Sequence, residues 1–204
     1  MKFFPLLFCF ACVDKNEPET DSSSHSDSGT PVDTSETTVE PIVMETTSGT
    51  IVIDLDFDAA PVTTNNFMEY VNSGFYDGTD GKEATLFHRV INDFMIQGGG
   101  ITAAGVAKET LAPISNEAAT SGLSNIRGTI SMARTSDPNS ATSQFFINQV
   151  DNLYLDASGS EAGYAVFGVV TEGMDVVDAI ASTQTDGNAQ PLVDIAILSV
   201  RAGD

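Results

Sequence analysis

Length, composition and charge restrict the functions open to this chain. It has 204 residues, with 29 acidic and 8 basic side chains and a formal net charge of -21. So few lysines and arginines exclude binding to the phosphate backbone of nucleic acids, which needs clustered positive charge. The length predicts one globular domain after a polar N-terminal part.

The first twelve residues, MKFFPLLFCFAC, combine a lysine, an apolar run and a small residue before Cys12. This segment resembles a bacterial lipoprotein signal, in which a peptidase cuts before the cysteine and the cysteine is then lipidated. The match is incomplete, because the run is short, Pro5 interrupts it and Cys9 stands where an aliphatic residue is expected. An ordinary secretory signal and a cytosolic chain with an apolar end are the alternatives.

Residues 13–40 have the composition of a disordered tether. They are acidic and rich in serine and threonine and have no aromatic residue, so they cannot bury enough apolar surface to fold. No apolar run reaches the roughly 18 residues that span a bilayer, so membrane attachment is expected only through a lipid anchor. We therefore divide the chain into a signal segment (1–12), an acidic tether (13–40) and a folded domain (41–204).

Alternation and turn signals predict a hairpin and a helix at the start of the domain. Apolar residues alternate with polar ones over 50–57, TIVIDLDF, and residues 42–44 are expected to pair with that strand. Pro61 suits the first turn of a helix that Gly74 can end. Residues 75–86 are predicted to be a loop.

The segment 87–100, FHRVINDFMIQGGG, predicts two strands joined by a turn. Strict alternation puts Phe87 and Arg89 on one face of the first strand and His88 on the other. The three glycines at the end indicate positive φ or close backbone approach. Arg89 and Gln97 lie within apolar strands, so they are either buried and paired or line a pocket.

The rest of the domain is predicted to be a loop over 101–127, followed by more short strands. These strands and a second helix are expected at 128–133, 144–148, 165–170, 173–181 (the helix) and 194–200. Many short strands with only two helices favour an antiparallel barrel or sandwich. Closure into a barrel also leaves no exposed strand edge.

The residue types of the domain argue against several catalytic chemistries. His88 is the only histidine of the domain, and no GxSxG motif is present, so a serine hydrolase is disfavoured. Both cysteines lie before the domain, so His88 alone cannot supply the ligands of a zinc site. The glycine run is followed by neither a lysine nor an amphipathic helix, as a phosphate-binding loop would require. A carboxylate pair for glycoside hydrolysis stays open, although no spacing singles one out.

What remains is a site of arginine, glutamine and aromatic side chains, which can bind a peptide and polarise an amide without a covalent step, a cofactor or a metal. Rotation about an X-Pro bond fits such a site, because amide resonance imposes a barrier of about 18–20 kcal/mol. The prolyl nitrogen becomes basic when resonance is lost. One guanidinium donor aimed at it would stabilise the twisted transition state and not the planar ground state.

Three long motifs carry a family resemblance: FHRVINDFMIQGGG at 87–100, GTISMARTSDPNSATSQFFIN at 128–148 and YAVFGVVTEGMDVVDAI at 164–180. The chain resembles the cyclophilin-type peptidyl-prolyl cis-trans isomerases, nearest their bacterial branch, over about residues 42–200. The resemblance implies a mostly β fold, a closed eight-stranded antiparallel barrel capped by two α-helices.

The resemblance also assigns the site. It makes Arg89 the catalytic guanidinium, Gln97 its hydrogen-bonding neighbour and Phe94 part of the same catalytic groove. The residues that it assigns to substrate binding are Met95, Ala133, Arg134, Gln144, Phe146, Tyr154, Leu155 and Tyr164.

Each of these assignments has a purely structural alternative. Phe94, Met95 and Phe146 could be core residues, Gln97 a satisfied buried amide and Arg89 one half of a buried ion pair. Within the family pattern, the functional interpretation of the whole set is favoured.

Some positions depart from the pattern of eukaryotic members. Tyr154 stands where many of them have tryptophan, Tyr164 where they have histidine and Arg134 where they have asparagine, so weak cyclosporin binding is expected. The loop 77–86 is longer than in the family pattern and leads into the Arg89 strand. His88 is given a structural role at the edge of the pocket, since amide rotation needs no proton transfer.

The predicted function is therefore an X-Pro isomerase that assists protein folding, and the alternative is a proline-peptide binding module or holdase with little turnover. The expected partners are unfolded or partly folded proline-containing polypeptides, and the protein is expected to be a monomer. The expected location is the periplasmic side of a bacterial cell envelope, with a lipid anchor at Cys12. A secreted or soluble periplasmic protein is the alternative.

Overall fold

The first two strands form the hairpin that alternation predicted. The computed structural model describes residues 40–203. The predicted signal segment, with Cys9 and Cys12, and all of the predicted tether except its last residue lie outside them. Strand β1 (Ile42–Thr46) pairs antiparallel with β2 (Gly49–Leu55).

Within the described range 40–203, six more strands and two α-helices complete the fold. In chain order they are α1 (Pro61–Asn72), β3 (Thr85–Ile91), β4 (Met95–Thr102), β5 (Thr129–Met132), β6 (Phe145–Asn148), a 3-10 turn (Leu153–Leu155), β7 (Val166–Glu172), α2 (Met174–Ala181) and β8 (Ile197–Ala202). Pro61 occupies the first turn of α1, and Gly74 follows its C-terminal end with a left-handed φ of 69°. Neither helix has the length and apolar character needed to cross a bilayer.

The eight strands form one antiparallel sheet that is nearly closed into a barrel. Its strand order is β3-β4-β6-β5-β7-β2-β1-β8. The two edges meet just before β8, where Leu86 bridges Ala196 and the Phe87 N–H donates to the Ile195 carbonyl oxygen at 2.9 Å. The predicted eight-stranded antiparallel barrel with two helices is confirmed.

Aromatic side chains fill the interior of the barrel. The Phe145 ring packs edge-on against Phe67 of α1 at 5.7 Å and against Phe87 of β3 at 5.9 Å. From α2, Val177 and Ile180 are buried in the same core. Since side chains occupy the interior of this barrel, a substrate has to bind on its outer surface.

A bulge in β3 overturns the predicted alternation of the site strand. Phe87 lies opposite Gly98 and Arg89 lies opposite Gln97, so His88 is an extra residue in the ladder. Consequently Phe87 is buried in the core, whereas Arg89, two residues later in the same strand, is half-buried and does not belong to the core. The prediction that Phe87 and Arg89 share a face is therefore wrong, and the bulge is what turns Arg89 outward.

The loop before β3 is shorter than predicted and is held by a buried lysine. Its predicted last residues, Thr85 and Leu86, belong to β3. The Lys108 ammonium donates to the Phe75 carbonyl oxygen at 2.5 Å and lies 3.0 Å from the Asp80 carboxylate. Because the Lys108 side chain is only 3% exposed, this contact ties the loop to the body of the domain.

Candidate functional site

Three neighbouring strands place the central residues of the site in one row. Arg89 of β3 lies opposite Gln97 of β4, and Gln97 lies opposite Phe146 of β6. Directly opposed residues in antiparallel strands project from the same face of the sheet. The arginine, the glutamine and the phenylalanine therefore stand side by side on the outer face of the barrel.

A chain of hydrogen bonds orients the guanidinium. Arg89 Nη1 donates to Gln97 Oε1 at 3.1 Å, and Gln97 Nε2 donates to Gln144 Oε1 at 3.0 Å. Within residues 40–203, no carboxylate lies within ion-pair distance of Arg89, so the ion-pair alternative finds no partner in this range. A guanidinium has five N–H donors, and the contact with Gln97 leaves donors for a ligand.

A cavity of about 200 Å³ adjoins this row. Met95 and Phe146 are buried, yet they lie outside the main hydrophobic cluster and face the cavity, as does the half-buried Phe94. The residues that line the cavity are Arg89, Phe94, Met95, Gln97, Ala133, Arg134, Phe146, Leu155 and Tyr164. The structure thus brings together nine of the residues proposed from the sequence, of which two are arginines and five are apolar.

The far wall is braced by stacked side chains. Tyr164 meets Phe146 edge-on at 5.6 Å, and the Arg134 guanidinium lies over the Tyr164 ring at 4.4 Å. Arg134 Nε donates to the Gly163 carbonyl oxygen at 2.9 Å. Arg134 is therefore engaged in holding the tyrosine, in addition to adding positive charge to the groove.

The two remaining predicted residues lie beside the cavity. Gln144 lines an adjoining hollow of about 140 Å³, which shares Gln97, Ala133 and Arg134 with the first. Tyr154 is 71% exposed and stacks on Phe94 with ring centroids 6.1 Å apart. Tyr154 therefore extends the apolar rim and does not line the cavity itself.

Buried asparagines beneath the cavity were missed in the sequence. Asn125 Nδ2 donates to the Tyr164 carbonyl oxygen at 3.2 Å, and Asn152 Nδ2 donates to the Phe94 carbonyl oxygen at 3.0 Å. Asn148 connects the two, since its Nδ2 donates to Asn125 Oδ1 at 3.3 Å and its Oδ1 accepts from Asn152 Nδ2 at 2.8 Å. These asparagines fix two walls of the cavity from below. An asparagine at the end of the apolar strand FFIN was the available signal.

His88 is a partly buried neighbour of the site. Burial lowers its pKa, and the positive charge of Arg89 acts in the same direction. Its Nδ1 is buried without a hydrogen-bond partner among residues 40–203. Within this same range, no group of three or more histidine, cysteine or acidic residues is placed to hold a metal ion.

The lowered pKa of His88 predicts a pH effect on stability. An unfolded histidine has a pKa of about 6.5, so the unfolded chain takes up a proton at His88 more readily than the folded chain. The free energy of unfolding should therefore fall as the pH drops below about 6.5. Urea unfolding at about pH 7.5 and 5.5 should show a smaller loss for His88→Asn than for the wild type. Equal losses would contradict this role of burial.

The sequence of this chain is similar to a known family of proteins and to several of its bacterial members. The sequence model of the family described as cyclophilin type peptidyl-prolyl cis-trans isomerase/CLD matches residues 41–202. A peptidyl-prolyl cis-trans isomerase of Acinetobacter baylyi is 52% identical over 164 residues, covering 78% of this chain and 84% of the relative. Peptidyl-prolyl cis-trans isomerase B of Escherichia coli is 46% identical over 170 residues, covering 80% and 99%.

The fold is also similar to that of a solved structure. A cyclophilin-type isomerase of Cryptosporidium parvum, crystallised in the presence of the dipeptide Ala-Pro, matches with a TM-score of 0.66 and 25% identity. The match covers 81% of this chain and 99% of that one.

Proposed function

The chain belongs to the cyclophilin-type peptidyl-prolyl cis-trans isomerases, and we propose that Arg89 is the residue with which this enzyme lowers the rotation barrier of X-Pro bonds. The observation that carries the proposal is the placement of the guanidinium. It is held by Gln97 at 3.1 Å and lines a cavity together with the apolar side chains of Phe94, Met95, Phe146 and Leu155.

The proposed chemistry is the rotation of an amide without a covalent intermediate. As the X-Pro bond twists, resonance is lost and the lone pair returns to the prolyl nitrogen. An Arg89 N–H donates to that lone pair, which is available only in the twisted state. The donor therefore stabilises the transition state more than either planar isomer, which is the condition for a faster chemical step.

The cavity supplies the position of the substrate. Met95, Phe146 and Leu155 are apolar walls suited to a pyrrolidine ring, and their contact removes water from the reacting amide. Gln144 and the backbone at Ala133 and Arg134 are proposed to bind the main chain of the peptide. No step requires a proton to leave the protein, so His88 has no part in the reaction.

Proline-containing polypeptides are the proposed substrates. The Ala-Pro dipeptide of the Cryptosporidium parvum structure supports this choice of ligand class. Exposed X-Pro bonds occur in unfolded or partly folded chains, where their slow isomerisation limits folding. We propose that the enzyme acts on such chains as a monomer.

The test of this function is a protease-free measurement of cis–trans exchange in a short X-Pro peptide by NMR. The full chain is expected to accelerate exchange at substoichiometric concentration. Peptide binding without acceleration would instead make the protein a binding module or holdase.

We further propose that the enzyme is tethered through Cys12 on the periplasmic side of a bacterial envelope. The support is the sequence MKFFPLLFCFAC followed by an acidic tether. Radiolabelled palmitate should be incorporated into the wild-type chain in a bacterial host and not into Cys12→Ser. Label that persists in the variant would contradict Cys12 as the anchor, and a wild-type chain without label would instead be secreted or soluble in the periplasm.

A further inference from the structure

Gly100 is a buried glycine of β4 whose backbone conformation does not require glycine. Its φ lies outside the left-handed region, unlike that of Gly99 in the same strand, which has a φ of 80°. The Gly100 carbonyl oxygen accepts from the Lys108 N–H at 3.0 Å. An alanine could adopt this extended conformation, so the absence of a side chain must serve another purpose.

The neighbours of a methyl group placed at Gly100 indicate why the side chain is absent. Its Cβ would lie 2.5 Å from Gln144 Cγ and 2.8 Å from both Cδ and Nε2 of the same side chain. Gln144 therefore lies directly across the Cα atom of Gly100. The close approach is to a flexible side chain and not to backbone, so the fold can accept a methyl group if Gln144 moves.

The backbone around Gln144 cannot move in its place. The Gln144 carbonyl oxygen accepts from the Ala133 N–H at 2.8 Å. The next residue, Phe145, is paired with Gly98 in the β4–β6 ladder. Because the backbone at Gln144 and at Phe145 is held by these contacts, rotation of the Gln144 side chain is the least costly response to a methyl group at Gly100.

The other two glycines of the run have different neighbours. A Cβ at Gly99 would lie 2.7 Å from the Phe145 ring of the core, and one at Gly98 would lie 2.9 Å from the Leu86 carbonyl oxygen. Both of these glycines serve the packing of the barrel. Only Gly100 faces a residue of the site.

We propose that Gly100 is a positioning residue for the isomerase site. By leaving space for Gln144, Gly100 keeps Gln144 Oε1 at 3.0 Å from Gln97 Nε2. This hydrogen bond orients the Gln97 amide so that its Oε1 faces Arg89 at 3.1 Å. This inference rests on the proposed role of Arg89. It places the last glycine of the QGGG motif at the origin of the hydrogen-bond chain that aims the guanidinium.

The test compares Gly100→Ala with Gly187→Ala in the full chain. Gly187 is exposed, has no left-handed φ, and a Cβ there would meet nothing within 4 Å. Gly100→Ala is expected to lower kcat/KM for an X-Pro peptide about tenfold, the effect of roughly one net hydrogen bond. Gly187→Ala should leave kcat/KM within about twofold of the wild type.

A double variant shows whether the effect passes through Gln144. Gln144→Ala removes the side chain that the methyl group would meet. Adding Gly100→Ala to Gln144→Ala should therefore cost no more than about a further twofold. Two losses that multiply would contradict the proposal.

Side-chain amide NMR signals give a readout that does not depend on activity. The signals of Gln97 and Gln144 should shift in Gly100→Ala and stay in place in Gly187→Ala, and unchanged signals in both would overturn the inference. If Gly100→Ala does not fold, the double variant decides. A folded double variant supports the overlap with Gln144, and an unfolded one contradicts it.

Two variants distinguish the positioning role of Gly100 from the proposed catalytic role of Arg89. Wild-type activity in Gly100→Ala beside a strongly impaired Arg89→Ala variant would contradict the positioning role alone. Unchanged activity in Arg89→Ala would contradict the proposed function itself.

Discussion

Replacing Arg89 with alanine is expected to lower kcat/KM for X-Pro isomerisation by about 10²- to 10³-fold, the usual cost of removing one preorganised donor to a transition state. Arg89 is the guanidinium that Gln97 holds at the rim of the cavity. Its removal takes away the only interaction that we propose to form with the prolyl nitrogen. The measurement is the rate of peptide exchange by NMR at several enzyme concentrations.

Two further arginine variants serve as controls. Arg89→Lys keeps the charge but lacks the planar fork that can contact Gln97 and the substrate together, so an intermediate rate is expected. Arg201→Ala removes a half-exposed arginine of β8, whose guanidinium lies 3.9 Å from the Glu45 carboxylate. This variant should behave as the wild type. Equal losses in Arg89→Ala and Arg201→Ala would show that the loss reflects charge or stability and not a directed donor.

Replacing Asn125 with alanine is expected to lower the free energy of unfolding by about 3 kcal/mol or more, because buried donors would be left unsatisfied. Asn125 is 0% exposed. Its Oδ1 accepts from Ser131 Oγ at 2.7 Å and from Asn148 Nδ2, and its Nδ2 donates to the Asp156 carboxylate at 2.9 Å. In thermal unfolding, the expected fall in Tm is about 6–12 °C for a domain of this size.

The matched control is Asn72→Ala, which makes the same chemical change at an exposed position at the end of α1. It should change the free energy of unfolding by no more than about 0.5 kcal/mol. An Asn125→Ala variant as stable as Asn72→Ala would show that the buried amide network does not hold the cavity walls together.

Much of this architecture could be predicted from local sequence patterns. The hairpin at β1 and β2 follows from the alternation of apolar and polar residues, and α1 from a proline at its start and a glycine after its end. Such signals are local, since they depend on residues close together in the chain. The strand order, which places β6 between β4 and β5, depends on pairings between distant segments and was not predicted, since the family resemblance implied only a closed eight-stranded barrel.

The errors in the site have physical causes of the same kind. The bulge at His88 adds one residue to β3, and a bulge leaves no clear mark in the pattern of apolar residues. The buried network under the cavity joins Asn125, Asn148 and Asn152 across loops and strands. The sequence around each asparagine therefore does not predict that the other asparagines are its hydrogen-bond partners.

The position of Gly100 illustrates the same limit. The sequence indicated that the three glycines are required either by a positive φ or by the close approach of a neighbour. The structure contains both cases, a positive φ at Gly99 and a close neighbour at Gly100. Only the structure separates them, because it shows that the close neighbour of Gly100 is Gln144.

The most direct test of the account measures peptide affinity and on-enzyme exchange separately for the wild type and Arg89→Ala. Exchange NMR at saturating X-Pro peptide gives the isomerisation rate on the enzyme, and a titration gives Kd. If Arg89 stabilises the twisted state and not the planar one, Kd should change by less than about tenfold while the on-enzyme rate falls by about 10²-fold or more. An on-enzyme rate that stays at the wild-type value, with the loss confined to Kd, would contradict the account.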